Sequence, residues 1–237
     1  MKILSIGNSF SHDAHRYLHS LAKKEGQDFK TVNLYISGCS LERHYNNLVG
    51  DKADYDFELN GEKIEKSTIK QALESDAWDI ITLQQASRFS FQYKSYLPYI
   101  EELVKVIRQT RPNAKIFIHQ TWAYEDGSEK LKSLKFKTSK KMFKKISRCY
   151  NKIAKKIKAD GIIPCGEAMQ KALELGLKKV HRDTYHASLG AGRYLLALCW
   201  FKALTEQDIS LNAFNDLDEP ITENEREIII KAVNSVF

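Results

Sequence analysis

Compact apolar runs alternate with amphipathic stretches along the whole chain. Lys2 to Ile6 is a short apolar run, and from Phe10 to about Glu25 the positions Phe10, Ala14, Leu18 and Leu21 fall on one helical stripe, with Gly26 just past its end. A second strand is expected near Phe29 to Ile36. Asp54 to Glu65 alternates about Asn60-Gly61, the residue pair of a two-residue hairpin turn, and reads as an insertion away from the main sheet. Trp78 to Leu83 (WDIITL) is continuously apolar, as a strand covered on both faces must be. Leu97 to Thr110 reads as a helix ending before Pro112, and Lys115 to His119 as the next strand. Met142, Phe143, Ile146, Tyr150, Ile153 and Ile157 recur at helical spacing. A short strand, Gly161 to Ile163, precedes helices around Glu167 to Leu175, Gly190 to Leu204 and Glu223 to Val236. Strands alternating with helices predict an α/β fold with a parallel sheet, and no repeat or linker divides residues 1–237, so one doubly wound domain is expected.

In such sheets, sites form beyond the carboxyl ends of the strands. The predicted ends gather polar residues: Asn8 and Ser9, Ser37 and Gly38, Gln84 and Gln85, His119 and Gln120. Ser9, at a strand-to-helix turn, suits either a nucleophile or a helix cap. A serine nucleophile needs a base held in the correct tautomer. Asp183-Thr-Tyr-His186 offers one, because in a loop a carboxylate three positions before a histidine can turn back onto its ring; the plain alternative is a solvated loop pair. Gly38 suits a tight turn with positive φ, which is compatible with donating its N–H. Trp122 and Tyr124 suit either a substrate wall or a cover for the sheet edge.

Gly7-Asn8-Ser9-Phe10-Ser11 resembles the GDSx(S/T) opening block of the SGNH (GDSL-type) hydrolases, and Asp183-x-x-His186 their closing DxxH block. Together "IGNSFS", "GCSLERH", "TLQQAS", "TWAY" and "DTYH" are similar, in order and over nearly the whole chain, to the DUF4886 branch of SGNH-like proteins. The resemblance implies a flavodoxin-like three-layer α/β/α sandwich and ester hydrolysis through a serine acyl-enzyme, with no cofactor or metal. It assigns Ser9 as nucleophile, His186 as general base and then acid, and Asp183 as its orienter. The oxyanion would meet the backbone N–H groups of Ser9 and Gly38 and a side-chain amide. Two positions depart from the pattern. Asn8 stands where Asp is commoner, and Leu83-Gln84-Gln85-Ala86 stands where GxND supplies the amide, which leaves Gln85, then Gln84, as the expected third donor. The implied substrate is a small acyl ester, O-acetyl carbohydrate among the choices, or else a thioester or lipid ester.

Charge adds a rival. The formal charge is +7, yet the segment 130–158 holds thirteen Lys or Arg and no Asp or Glu, so the remainder is net negative. Its helical part keeps an apolar face, so the lysines describe the solvent side of a helix or, alternatively, a surface for acidic glycans or nucleic acid on a non-catalytic module. His12, His15 and His19 lie near one helix face but lack the glutamate and further ligand of a metal site; an exposed or capping histidine face is expected. Cys39, Cys149, Cys165 and Cys199 are too scattered for a zinc site or disulfide framework and read as buried thiols. No run is long enough to span a membrane and the N-terminus has no signal-peptide pattern, so the chain as it stands reads as cytoplasmic; removal of an export signal would leave the same sequence.

Overall fold

The computed structural model describes residues 1–237. Strands β1 (Lys2–Gly7), β2 (Lys30–Tyr35), β3 (Tyr55–Leu59), β4 (Glu62–Ser67), β5 (Ile80–Leu83), β6 (Lys115–His119) and β7 (Gly161–Ile163) form one sheet in the order β4-β3-β2-β1-β5-β6-β7. The five strands from β2 to β7 in that order run parallel, and β1 is the middle strand of the seven. Ile3, Leu4, Ile6, Ile81 and Leu83 are wholly buried, the expected state of central strands covered on both faces.

Helices α1 (Ser9–Lys24), α2 (Leu41–Val49), α3 (Ile69–Glu74), α4 (Tyr99–Thr110), α5 (Glu129–Ser133), α6 (Ser139–Ile157), α7 (Cys165–Glu174), α8 (Ala191–Thr205) and α9 (Glu223–Asn234) connect and flank the strands. One layer packs α1 and α7 against α8, with α9 against both α7 and α8; the other packs α2, α3 and α6 against α4. This is the expected α/β/α sandwich. α8 is apolar nearly all round, and its residues Ala191 to Phe201 are all buried, because α1, α7 and α9 surround it. All four cysteines are buried and unpaired. No helix is long and apolar enough to cross a membrane.

The hairpin corrects one expectation. It does not stand apart from the main sheet: β3 pairs antiparallel with β2 from Val32↔Leu59 to Tyr35↔Asp56 and lengthens the sheet. A polar link across this pairing supplies a physical reason. Buried Asn33 on β2 accepts from Ser11 Oγ (2.7 Å) and donates to Glu58 on β3 (2.7 Å), and Glu58 also meets His12 Nδ1 (2.9 Å). An open β2 edge would leave these groups without each other. Asn60 (φ 51°) and Gly61 (φ 88°) form the expected tight turn, and Asn60 Oδ1 accepts from Thr31 N–H.

Three histidines lie wholly inside this structure. Burial pushes the imidazoles of His15, His44 and His119 down to about 3, from an ordinary 6.5. Between those values the unfolded chain takes up protons that the folded chain rejects, so stability falls as pH drops below about 6.5. Thermal unfolding is expected to show a midpoint that declines steadily from about pH 7 to pH 4; a midpoint unchanged down to about pH 5 would contradict the burial of these rings as neutral groups.

Candidate active site

β1 ends at Gly7, where α1 packs close: a Cβ on Gly7 would lie 2.0 Å from Ser11 Oγ. The chain then turns through Asn8, which is the helix cap. Its backbone is extended (φ −146°), its Oδ1 accepts from Phe10 N–H (3.0 Å), and its own N–H donates to Ser11 Oγ (3.0 Å). The capping role therefore falls to Asn8 and not to Ser9. Ser9 is the first residue of a 16-residue helix, its hydroxyl is free of the backbone, and its Oγ lies 2.8 Å from His186 Nε2.

The loop from Arg182 to Ala187 brings the histidine there. His186 Nδ1 lies 2.7 Å from Asp183 Oδ2, while Asp183 Oδ1 accepts from the backbone N–H of His186 (2.8 Å), so the carboxylate turns back on its own loop. Burial works to raise the Asp183 carboxyl, but the hydrogen bonds from the His186 ring and backbone outweigh it and hold it below the ordinary value. The bond to Asp183 leaves Nδ1 protonated and Nε2 as the acceptor facing Ser9. Ser9, His186 and Asp183 thus form one hydrogen-bonded line.

The loop is tied down at several points. Thr184, at φ 75°, passes its carbonyl to Glu125 N–H, and Trp122 Nε1 donates to Tyr185 O (2.7 Å). Buried Asp13, one turn along α1 from Ser9, accepts from Arg182 (2.9 Å), from Arg193 (2.9 Å) and from Ala187 N–H (3.1 Å).

The line opens into a cleft of about 480 Å³, lined among others by Ser9, Gly38, Arg88, Tyr124, Lys130 and His186. Gly38 has φ +60°, the backbone a glycine favours, and its N–H makes no hydrogen bond within the chain. Ser9 N–H, in the first turn of α1, has no intrahelical partner, and the positive end of the helix dipole lies with it. Asn8 Nδ2 donates to Cys39 O (3.0 Å) and fastens the Gly38 loop to the Ser9 turn.

The glutamines expected to complete an oxyanion hole do not reach the cleft. Gln85 donates both amide hydrogens to Ser95, at its carbonyl (2.9 Å) and hydroxyl (3.2 Å), and accepts from Leu41 and Ala86 N–H. Gln84 donates to Asn8 Oδ1 (2.6 Å) and accepts from His119 Nδ1. Both are buried structural ties, because turning either outward would break two or more bonds. From the post-β5 loop it is Ala86, Ser87 and Arg88 that line the cleft, and Arg88 is the charged one. Its Nη1 lies 3.8 Å from where a Cβ on Gly38 would be.

The aromatic pair divides. Tyr124 lines the cleft, with its hydroxyl 2.9 Å from Ser87 Oγ. Trp122 does not; it is buried, stacked on Phe10 with ring centroids 4.0 Å apart. The histidines of α1 point in separate directions: His12 to Glu58, buried His15 to Ser5 Oγ (2.8 Å), and His19 to Phe29 O (2.6 Å). The exposed face expected of them is not formed. His119 and Gln120, also expected at the strand ends, are buried, with Gln120 tied to Glu167. Arg88, Lys130 and Tyr185 are among the cleft residues that sequence reading missed, with Ser87, Ser133 and Leu134. Lys130 belongs to the basic segment, but nothing in that run of lysines distinguishes the one that turns inward.

Asp13→Ala is expected to destabilise the fold by about 3–5 kcal/mol, since it leaves two guanidinium groups and a backbone N–H without their acceptor. Chemical denaturation with an unchanged slope checks this; a loss below about 1 kcal/mol would contradict it.

Comparison with known proteins shows the family and the fold. Residues 2–233 match the family described as "Domain of unknown function (DUF4886)". The chain is similar to a DUF4886 family protein from Bacteroides uniformis, with 36% identity, a TM-score of 0.91, and coverage of 100% of this chain and 94% of that one. It is similar in fold to a candidate SGNH hydrolase from Slackia heliotrinireducens (21% identity, TM-score 0.65, 86% and 98% covered). A third similar fold is the acetyl xylan esterase AlAXEase (12% identity, TM-score 0.59, 86% and 100% covered). Comparison with curated proteins finds no match. With the match running through almost the whole chain, this protein belongs to the DUF4886 family.

Proposed function

We propose that this chain is a serine esterase that removes small acyl groups through an acyl-enzyme. The observation that carries the reading is the line Asp183–His186–Ser9, with 2.7 and 2.8 Å contacts, ending in an open cleft. In this reading Ser9 Oγ attacks the ester carbonyl while His186 Nε2 takes its proton. The carbonyl oxygen gains the negative charge and meets the N–H groups of Ser9 and Gly38, each worth about 3–4 kcal/mol when preorganised. The intermediate collapses as the C–O bond to the alcohol breaks, and His186 returns the proton to the departing oxygen. Water then gives a proton to His186 and attacks the acyl carbon; Ser9 leaves with that proton, and the acid is released. Asp183 keeps the ring in its working tautomer and stabilises the imidazolium.

Acetylated carbohydrate is the first substrate class to try, supported by the fold shared with an acetyl xylan esterase. Preference for long acyl chains or for thioesters would move the reading to a lipid esterase or thioesterase.

Hydrolysis of p-nitrophenyl acetate tests the reading. Ser9→Ala and His186→Ala are each expected to lower kcat at least about a thousandfold, and Asp183→Asn about a hundredfold or more. Activity unchanged in Ser9→Ala would end the reading. Salt-dependent binding of heparin or DNA that survives Ser9→Ala, with no ester cleaved, would favour a binding module that uses the basic segment.

Asn8→Asp is a sharper probe of the oxyanion loop. A carboxylate can accept from Phe10 and Gln84 but cannot donate to Cys39 O, so the Gly38 loop loses its tie. A drop in kcat of about tenfold or more with little change in KM is expected. Full activity in this variant would show that the Cys39 bond does not position Gly38.

A further inference from the structure

The cleft is positively charged and its charge is unmatched. Arg88 and Lys130 line it, and no Asp or Glu does. Neither cation makes an ion pair or a hydrogen bond to any other group of the chain. By contrast, Arg16, Arg182 and Arg193, in the neighbouring α1–α8 network, are all paired to Asp13 or Asp218. Two like charges turned toward one concave space raise its potential, and they do so beside the reacting groups. Lys130 Nζ lies 3.1 Å from the centroid of the Tyr185 ring, which in turn lies 4.0 Å from the His186 ring. Arg88 lies on the opposite strand-end loop against Gly38, with its guanidinium 4.8 Å from the Phe89 centroid. Aromatic rings support both cations and hold them near the cleft. The rest of the wall, Asn8, Phe10, Ser87, Tyr124, Leu134 and His186 among it, contains no acid to compensate them.

We propose that the substrate carries a carboxylate close to its scissile ester, held by Arg88 and Lys130. This rests on the esterase reading and narrows it to acidic esters. The guanidinium fork suits a planar carboxylate, and the ammonium adds a point charge on the other flank. The carboxylate has two sources: the acyl group, as in a half-ester of a dicarboxylic acid, or the alcohol, as in an acylated uronic acid.

The test compares acids with their neutral methyl esters. Mono-4-nitrophenyl adipate carries the carboxylate on the acyl side and 4-acetoxybenzoate on the alcohol side. Binding of each pair to Ser9→Ala protein is measured by calorimetry at low and high salt. One acid is expected to bind about tenfold tighter than its methyl ester, with the gap narrowing as salt rises. The pair that shows the gap names the source. In Arg88→Gln and Lys130→Gln versions of the same protein the gap should shrink to threefold or less; both side chains are exposed, so these variants keep the core. Equal binding within both pairs, or a gap that persists in both variants, overturns the proposal. So does an Arg88→Gln enzyme that turns over acid and methyl ester with equal losses while binding stays unchanged, because Arg88 would then serve the oxyanion alone. Turnover of the methyl esters by the wild type reads the esterase reading separately: preferential binding without hydrolysis of any ester would keep the anion site and discard the esterase.

Discussion

The site depends on a single buried carboxylate. Asp13 lies four residues after Ser9, hence on the same face of α1 and one turn below it. Two guanidinium groups and the Ala187 N–H converge on it, so the helix that carries Ser9, the loop that carries Asp183 and His186, and helix α8 share one anchor. A buried charge costs much in lost hydration, which only close opposite charges and hydrogen bonds offset. Asp13 has both, and Arg193 extends the network to Asp218 and thence to Arg16. One turn further on, Tyr17 OH donates to Leu189 O and fastens the far end of the same loop. The contact between His186 and Ser9 is thus set from beneath, by residues that do not line the cleft.

A second buried relay sets the other wall. Gln84 gives its amide hydrogen to Asn8 Oδ1, so its carbonyl must accept from His119, which fixes the proton on Nδ1 of a ring that burial keeps neutral. Asn8 Oδ1 then faces Gln84 and Phe10, which leaves its Nδ2 for Cys39 O. The amide at position 8 is therefore more than a substitute for Asp. It joins β1, β5 and the Gly38 loop in a way that needs a donor and an acceptor on one side chain. It also accounts for the glutamines. The chain uses amides at this strand end to bind the loops to one another, and leaves the cleft to the residues that follow, Ala86, Ser87 and Arg88.

Much of this was legible in the sequence, for identifiable reasons. Continuous apolar runs marked the central strands, and the helical stripe of Phe10, Ala14, Leu18 and Leu21 marked α1, because burial acts on local periodicity. Ser9 and the Asp183–His186 pair were legible because turn position and short spacing constrain them. α2 was not: its nine residues LERHYNNLV bury Leu41, His44, Asn47 and Leu48, so half its inner face is polar. The direction taken by Gln84 and Gln85 depends on Asn8, His119 and Ser95, partners from other segments that no local pattern reveals. Trp122 and Tyr124 differ by two positions and still part company, one stacked on Phe10 and one at the cleft.

The hairpin has a consequence for how the molecule meets its own kind. By covering β2 it makes β4, Glu62-Lys-Ile-Glu-Lys-Ser67, the outermost strand, with its first five residues exposed. A bare β2, with Val32 and Leu34 in its middle, would offer apolar backbone to a second sheet. β4 instead presents alternating acid and base, which a neighbouring strand could approach only by stripping water from four charged side chains. At the other margin β7 is three residues long and packed against α6 and α8, too short to template another strand. Both rims of the sheet are thereby unsuited to edge-to-edge association, so the fold keeps its strands to itself even where the chain is crowded.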